Sequence, residues 1–565
     1  MSDEVKLSPV EEIKETSQYL RGDIPEELVD GQTGFGKSSV QLLKHHGTYE
    51  QEDRDGRAER RANGDKETLN IFMVRTRIPG GKLTSEQLLA ELDLCDELGN
   101  TTLRATSRQG LQLHGVLKTN LKESIRRIND IQLTTLGACG DVNRNVMCCP
   151  APTAGPIHDQ LQKLAAELAN HFAPHTSSYH DIWLTDVETG EKTKVTDDVV
   201  EPIYGKVYLP RKFKMGIALP DDNCIDIYTH DLGLLAIIRD GQIVGYNMLV
   251  GGGQGVTPAI KKTYPALAHR MAFVRPAQVI EVAEAVVKVQ RDFGNREDRK
   301  QARLKYLIAD WGLSAFKAKV EEYVGYPLTA CEPDDVTDVD HHMGWREQGD
   351  GKWCYGLCVA SGRILDNDEM QLKSALRAIC RELKPGIRLT AQQSILFADI
   401  AEADRSRLEE LLRTHHVPLS EQALPVRLLS LACVAWPTCG LSITESERAM
   451  PGVLTELEEE LTRQGLEDEQ ITVRMTGCPN GCARPYNCDI GLVGKAKEKY
   501  TLYVGGRTAG DRLSYILKDL VPRDELIATL APVLARFKSE RSDGESFGDY
   551  CHRVGAEALQ ALCCG

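Results

Sequence analysis

No run of about 18 apolar residues occurs anywhere in the 565-residue chain, so the sequence offers no membrane-spanning helix. Positive charge is also short. Lys and Arg number 68 against 83 Asp and Glu, a formal net charge of −15. Neutralising phosphates needs a basic face, so bulk nucleic-acid binding is not expected. The first six residues, Met1 to Lys6, are polar and lack the apolar stretch of an export signal, which makes the cytoplasm the expected compartment. No Gly-x-Gly-x-x-Gly set stands between a strand and a helix, so the chain has no evident flavin or nicotinamide site of its own. Cysteine, by contrast, is plentiful. The 17 thiols are scattered along the chain instead of framing a small secreted module. Most should be buried free thiols, and a close set points to metal.

The length suggests three or four domains. Residues 1–66 are charged and irregular, and 51–61, dense in both signs, read as a solvated arm or linker. Leu69 to Ile78 alternates as a strand, with Arg75 on the face shared by Leu69, Ile71 and Met73. Thr84 and Gln87 are spaced as a capping box for the helix that follows. A strand pair over Thr102 to Leu117 and a helix opening at Asn120 complete the unit. The same order returns from Trp353 to Leu412, and Leu103-Arg104-Ala105-Thr106-Ser107-Arg108-Gln109 matches Ile387-Arg388-Leu389-Thr390-Ala391-Gln392-Gln393. A second pair of strand-like runs ends at Gly251-Gly252-Gly253 and at Gly505-Gly506. The pattern predicts a duplicated α+β chain with halves near 67–330 and 336–565, joined at Glu332-Pro333-Asp334-Asp335.

Four thiols stand out. Cys433 and Cys439 are spaced C-x5-C, and Cys478 and Cys482, about forty residues on, C-x3-C. Four thiolates can hold a cubane cluster. The neighbouring Gly477, Pro479 and Gly481 permit tight turns that aim N–H groups at sulfur. Spacing alone leaves buried thiols, zinc and iron–sulfur open. Structural zinc favours C-x2-C or C-x4-C knuckles, which tilts the reading toward iron–sulfur.

The thiol pattern, with Thr476-Gly477-Cys478-Pro479-Asn480-Gly481-Cys482, resembles the siroheme-dependent sulfite and nitrite reductase family. Asp141-Val142-Asn143-Arg144-Asn145-Val146, Tyr208-Leu209-Pro210-Arg211-Lys212-Phe213-Lys214, Leu249 to Gly253 and Gly294 to Lys300 resemble other segments of that family. The likeness runs from about Tyr19 to Val554. It implies a pseudo-twofold α/β fold: an arm at 1–66, ferredoxin-like half-domains at 67–135 and 336–415, and larger cofactor-binding domains at 136–330 and 416–565. It also implies two cofactors, siroheme and a [4Fe-4S] cluster held by Cys433, Cys439, Cys478 and Cys482, with Cys482 touching the siroheme iron as well. Arg75, Arg144, Lys212 and Lys214 match the residues around the family's substrate anion. Arg104, Arg108, Asn143, Arg211 and Asn480 are the further candidates for holding siroheme.

The chemistry of those residue types fits. Siroheme carries eight carboxylates and sulfite is a dianion, and both need cations where water is scarce. Arginine grips carboxylates with its planar fork, and a buried lysine can feed protons. Family sulfite reductases tend to carry Arg-Lys-Phe-Lys, and nitrite reductases tend to end that loop in asparagine. Lys214 therefore favours six-electron reduction of sulfite to sulfide, for sulfate assimilation and cysteine biosynthesis, with ferredoxin-dependent nitrite reduction as the alternative. Electrons would come from a partner protein, an NADPH-dependent flavoprotein subunit or a ferredoxin.

Other signals are discounted. Gly31-Gln32-Thr33-Gly34-Phe35-Gly36-Lys37-Ser38 satisfies the phosphate-loop pattern, but the residues before it do not read as a buried strand. His45-His46, His341-His342, Cys148-Cys149 and Cys563-Cys564 are adjacent pairs, whose side chains point apart and rarely chelate together. Cys488 departs from the family and reads as a packed thiol. A cofactor-free binding protein on the same fold would not be expected to keep all four thiols and all four cations.

Overall fold

A computed structural model describes residues 6–65, 69–176, 178, 183–185, 189, 192–194 and 200–563. Two small antiparallel sheets each borrow their last strand from the other half. The first runs Thr48–Glu52, Asn70–Thr76, Leu111–Val116, Leu103–Ala105, and ends with Arg363–Ile364 from the second half. The second runs Gly344–Glu347, Trp353–Leu357, Ile395–Ile400, Gly386–Leu389, and ends with Lys82–Leu83 from the first.

The exchange has a local cause. Gly81 and Gly362 occupy the left-handed region, at φ 71° and 73°. Each lies against the other half's sheet. A Cβ on Gly81 would meet the Leu389 carbonyl at 2.4 Å, and one on Gly362 the Ala105 carbonyl at 2.1 Å. Ala105 and Leu389 are the matched positions of the sequence repeat. Gln109 and Gln393, which end the repeat, both have positive φ, 50° and 66°. The capping box forms as read: Thr84 accepts from the Gln87 amide at 3.2 Å and opens the helix Ser85–Glu97.

The larger sheets repeat one topology. In the first, Met147–Cys148, Met215–Ala218 and Leu232–Arg239 are parallel neighbours, and Gln242–Val250 and His269–Val274 add antiparallel. In the second, Ser430–Ala432, Val473–Thr476 and Ile490–Ala496 are parallel, and Lys499–Val504 and Tyr515–Pro522 add antiparallel. Their central strands, Leu232–Arg239 and Ile490–Ala496, are buried along most of their length, and the helices Val279–Phe293 and Leu526–Glu540 pack into the same cores. One apolar core runs through both small sheets and the first large sheet, and the second large sheet has its own.

One expectation fails in the N-terminal segment. Where described it is not irregular, although the helix Arg54–Ala62 within the charged stretch has no buried residue. Thr48–Glu52 pairs along Asn70–Thr76. Lys14 is fully buried, bonded to Glu11 at 2.7 Å and to the Leu209 carbonyl at 2.7 Å. The charges serve specific contacts, which composition cannot reveal. The phosphate-loop match follows the short helix Ile24–Glu27 and no strand. Two of its N–H groups are taken by the chain itself, Phe35 by Glu50 and Gly36 by Glu27, both at 2.8 Å.

Candidate functional site

The four thiols sit on the loops that follow two parallel strands of the second large sheet. Cys433 directly follows Ser430–Ala432, and Cys478 and Cys482 follow Val473–Thr476. Gly477 holds the two loops together. Its N–H donates to Cys433 Sγ at 3.3 Å and its carbonyl accepts from the Ile443 amide at 2.7 Å. A side chain at Gly477 would strike the Ala435 Cβ at 2.5 Å. Asn480 Nδ2 points at Cys478 Sγ at 3.5 Å. The four thiols feel one another. Burial raises those of Cys433, Cys439 and Cys478 (the last to about 12), and charge on Cys482 is the next cause for each. Cys482 is the exposed member of the set.

What Cys482 faces comes from the first half. Asn143 bridges Phe213 in parallel: the Arg144 amide donates to the Phe213 carbonyl at 2.9 Å, and the Phe213 amide to Val142 at 3.0 Å. This pairing sets Arg144 beside Lys212 and Lys214. Arg144 is fixed by its Nε on the Gly140 carbonyl at 2.9 Å. The two lysines are half-buried, and among the described residues neither has a carboxylate within ion-pair distance. Burial lowers Lys212 to about 7, and Arg303, Arg211 and Arg144 add to the effect. Lys214 is lowered well below its ordinary value by burial and then by Arg108, Lys212 and Arg303. Charge on Cys482 acts on both lysines in the opposite direction. Arg108 is itself lowered to about 9, by burial and then by Arg484. The result is a concentration of cations gathered against a single outward thiol.

The remaining candidates are placed variously. Arg75 holds Gln112 Oε1 at 2.8 Å and Cys139 Sγ at 2.8 Å. Its charge reaches Tyr49 together with those of Arg144 and Arg211. Arg211 is partly exposed, 3.9 Å from Asp141. Asn143 is buried with neither side-chain polar atom bonded. Arg104 is engaged within the protein, with Glu447 at 2.8 Å and the Ala432 carbonyl, next to Cys433, at 2.8 Å. Cys488 is buried, donates to the Ile490 carbonyl at 3.2 Å, and has Arg474, Asp489 and Asp226 as its charged neighbours.

Sequence reading missed three contributors. Arg54, within the segment read as a linker, stacks 3.7 Å over Trp436 and donates to the carbonyls of Pro437 (2.9 Å), Cys439 (2.6 Å) and Ser442 (3.1 Å). Arg303 joins the cation group while paired to Asp231 at 2.8 Å. Arg484 ties the Cys482 loop to the Ser107 carbonyl at 2.8 Å, and Ser107 Oγ donates to the Cys482 carbonyl at 3.1 Å. The signal for Arg484 was its place two residues past Cys482. Arg54 and Arg303 carried none. His45 and His46 are core histidines. Cys563 is buried at the chain's end, and Cys564 lies outside the described residues.

Family comparison decides the relationship. The nitrite and sulphite reductase 4Fe-4S domain matches residues 139–328 and 429–564, and the nitrite/sulfite reductase ferredoxin-like half domain matches 64–131 and 346–415. This chain belongs to the nitrite and sulphite reductase family. Among its relatives, the sulfite reductase [NADPH] hemoprotein beta-component of Staphylococcus saprophyticus is 42% identical over 97% of this chain and 96% of its own. The protein of that name from Anoxybacillus flavithermus is 43% identical over 97% and 95%. The solved structure of Mycobacterium tuberculosis NirA protein superposes with a TM-score of 0.79 at 26% identity, covering 98% of both chains.

Proposed function

We propose that this protein is the hemoprotein component of an NADPH-dependent sulfite reductase, reducing sulfite to sulfide with six electrons at a siroheme next to a [4Fe-4S] cluster. The observation that carries the reading is the meeting of Lys212, Lys214, Arg144 and Arg108, none of them in an ion pair among the described residues, with the outward Cys482 of a four-thiol set. Full-length relatives bearing the name support it.

The residues present suit both groups. Four thiols on two glycine-turned loops match a cubane, and buried thiols that resist ionisation alone are deprotonated on binding metal. A collection of buried and half-buried cations without ion-pair partners among the described residues is costly in itself and calls for a polyanion such as siroheme. When bound, the coupled cofactors would supply the electrons for reducing sulfite. Arg75, Arg144, Lys212 and Lys214 would hold the anion's oxygens. Lys212, poised near neutral pH, would deliver protons to oxygen as S–O bonds break and water leaves. Arg108 and Arg211 would meet siroheme carboxylates, Asn143 would offer its unbonded amide, and Asn480 would steady Cys478. Cys482 would help to hold both cofactors.

The electron donor in this reading is a separate NADPH-using flavoprotein, and the compartment is the cytoplasm, where free thiols persist. No helix among the described residues is long and apolar enough to cross a membrane. Turnover of the purified protein with a chemical reductant tests the substrate. Sulfite should be reduced to sulfide with a higher kcat/KM than nitrite to ammonia. A clear preference for nitrite would overturn the reading in favour of nitrite reduction on the same fold.

A further inference from the structure

A second group of metal-binding side chains lies in the first half. Cys149, Asp222, Cys224 and His342 are all buried, and one donor atom from each lies within 4.8 Å of all the others. Cys149 Sγ is 2.8 Å from Asp222 Oδ2 and 3.9 Å from His342 Nε2, and the latter is 3.2 Å from Asp222 Oδ2. Four donors bonded to zinc at about 2.0–2.3 Å in a tetrahedron stand about 3.3–3.8 Å apart. The group therefore needs only small movements to close on an ion.

Its place in the fold gives independent support. Met147–Cys148 pairs with Met215–Ala218 so that Cys148 faces Ile217, and Ser430–Ala432 pairs with Val473–Thr476 so that Ala432 faces Met475. Overlaying these registers sets Cys149 on Cys433 and Cys224 on Cys482. The group occupies, in the first large sheet, the position that the four thiols occupy in the second. Asp222 and His342 take the remaining places, His342 arriving from the segment that joins the halves.

The surroundings are arranged as an outer shell. Asp222 Oδ1 accepts from the amides of Cys224 (3.1 Å) and Asp340 (3.2 Å), which leaves Oδ2 toward the centre. His342 Nδ1 lies 3.6 Å from Asp340 Oδ2, a carboxylate behind the imidazole, and Arg346 holds Asp340. A pocket of about 300 Å³ lined by His158, Asp222 and His342 offers entry.

We propose that Cys149, Cys224, His342 and Asp222 form a structural zinc site that fastens the inter-half segment to the first large sheet. Four protein donors leave no open position, so the site is structural and not catalytic. Two thiolates with imidazole and carboxylate suit zinc over the harder divalent cations.

Zinc and iron analysis of the holoenzyme, incubated with zinc sulfate and then gel-filtered, tests this, with X-ray absorption at the zinc edge. About one zinc per chain is expected, with a first shell of two sulfur and two lighter atoms. Cys224→Ser and His342→Ala should each lose most of that zinc while keeping the iron content. Should either variant fail to fold, the wild-type zinc shell decides alone. A protein that retains no zinc overturns the proposal. So does a zinc shell of four sulfurs, which would place the ion in the second-half thiols, and so does a Cys149–Cys224 disulfide in the alkylated protein. An absence of zinc or a Cys149–Cys224 disulfide leaves the sulfite reading untouched, since iron and turnover test that separately, whereas a four-sulfur zinc shell would count against both.

Discussion

The two large sheets share strand order, direction and register, yet present opposite chemistry. At the ends where its two edge-side parallel strands finish, the second sheet offers Cys433, Cys439, Cys478 and Cys482. The first sheet is used mainly from the other side. Arg144, Lys212 and Lys214 lie on the segments entering Met147–Cys148 and Met215–Ala218. Duplication thus makes a scaffold twice, and the proposed site draws its thiols from one copy and its cations from the other. Neither half contains the site alone, because neither places an anion-loving surface and a metal-loving loop on the same edge.

Substitutions can break this division of labour. The largest effect should come from Cys482→Ser, which removes the one thiol facing the cations. Turnover should fall to background, with the siroheme absorption altered, while Cys488→Ser leaves both unchanged because its thiol is spent on the Ile490 carbonyl and is not one of the four. Next, Lys214→Asn removes one cation from the pair. Losing a charged hydrogen bond costs about 1.5–3 kcal/mol, so kcat/KM for sulfite should drop about 10–100-fold, and the value for nitrite by less. Equal losses would contradict the substrate assignment.

The scaffold itself can be tested next. Gly81→Ala and Gly362→Ala put a Cβ against the partner half's backbone at a positive φ. Each should cost at least about 1–3 kcal/mol in denaturant unfolding, and by similar amounts, if the strand exchange is symmetric. Arg54→Ala frees the Cys433–Ser442 loop, and a chelator should extract iron about tenfold faster. Arg54→Lys should restore little, since lysine lacks the fork that reaches three carbonyls.

The smallest expected effect concerns pH. Burial and neighbouring cations favour the neutral amine of Lys212, lowering it to about 7. The folded protein therefore binds fewer protons than the unfolded chain between about pH 7 and the ordinary lysine range. This one group makes folding more favourable as pH rises through that window and costs most below it. For anion binding the sign is reversed, because the charged amine is lost as pH rises. With nitrite as the probe, which does not titrate there, KM should rise above neutral pH, and Lys212→Arg should flatten the rise. A wild-type KM that stays level would remove Lys212 from the anion site.

Much of this was legible before any coordinates. Alternation in Leu69 to Ile78, the Thr84–Gln87 cap and the match of Leu103–Gln109 to Ile387–Gln393 are local signals, and each found its element. The cysteine spacing pointed to one place because both pairs lie on the loops that follow neighbouring parallel strands. What stayed hidden depends on distant partners. Arg54 looked like one more solvated charge, since nothing in 51–61 reveals that Trp436 lies above it. Cys148-Cys149 and His341-His342 were set aside because neighbours rarely chelate together. The argument was sound for each pair, but one member of each meets Asp222 and Cys224 across the fold. Arg303 was equally silent, its role fixed by a strand more than fifty positions away that places Asp231 beside it.

The most direct test of the central claim is an electronic spectrum of the purified protein recorded with an iron and acid-labile sulfide count. Siroheme bands with about five irons per chain, four from the cluster and one from the macrocycle, are the predicted result. Zinc in place of iron at Cys433, Cys439, Cys478 and Cys482, or a cluster without a tetrapyrrole spectrum in protein made where siroheme is available, would contradict it.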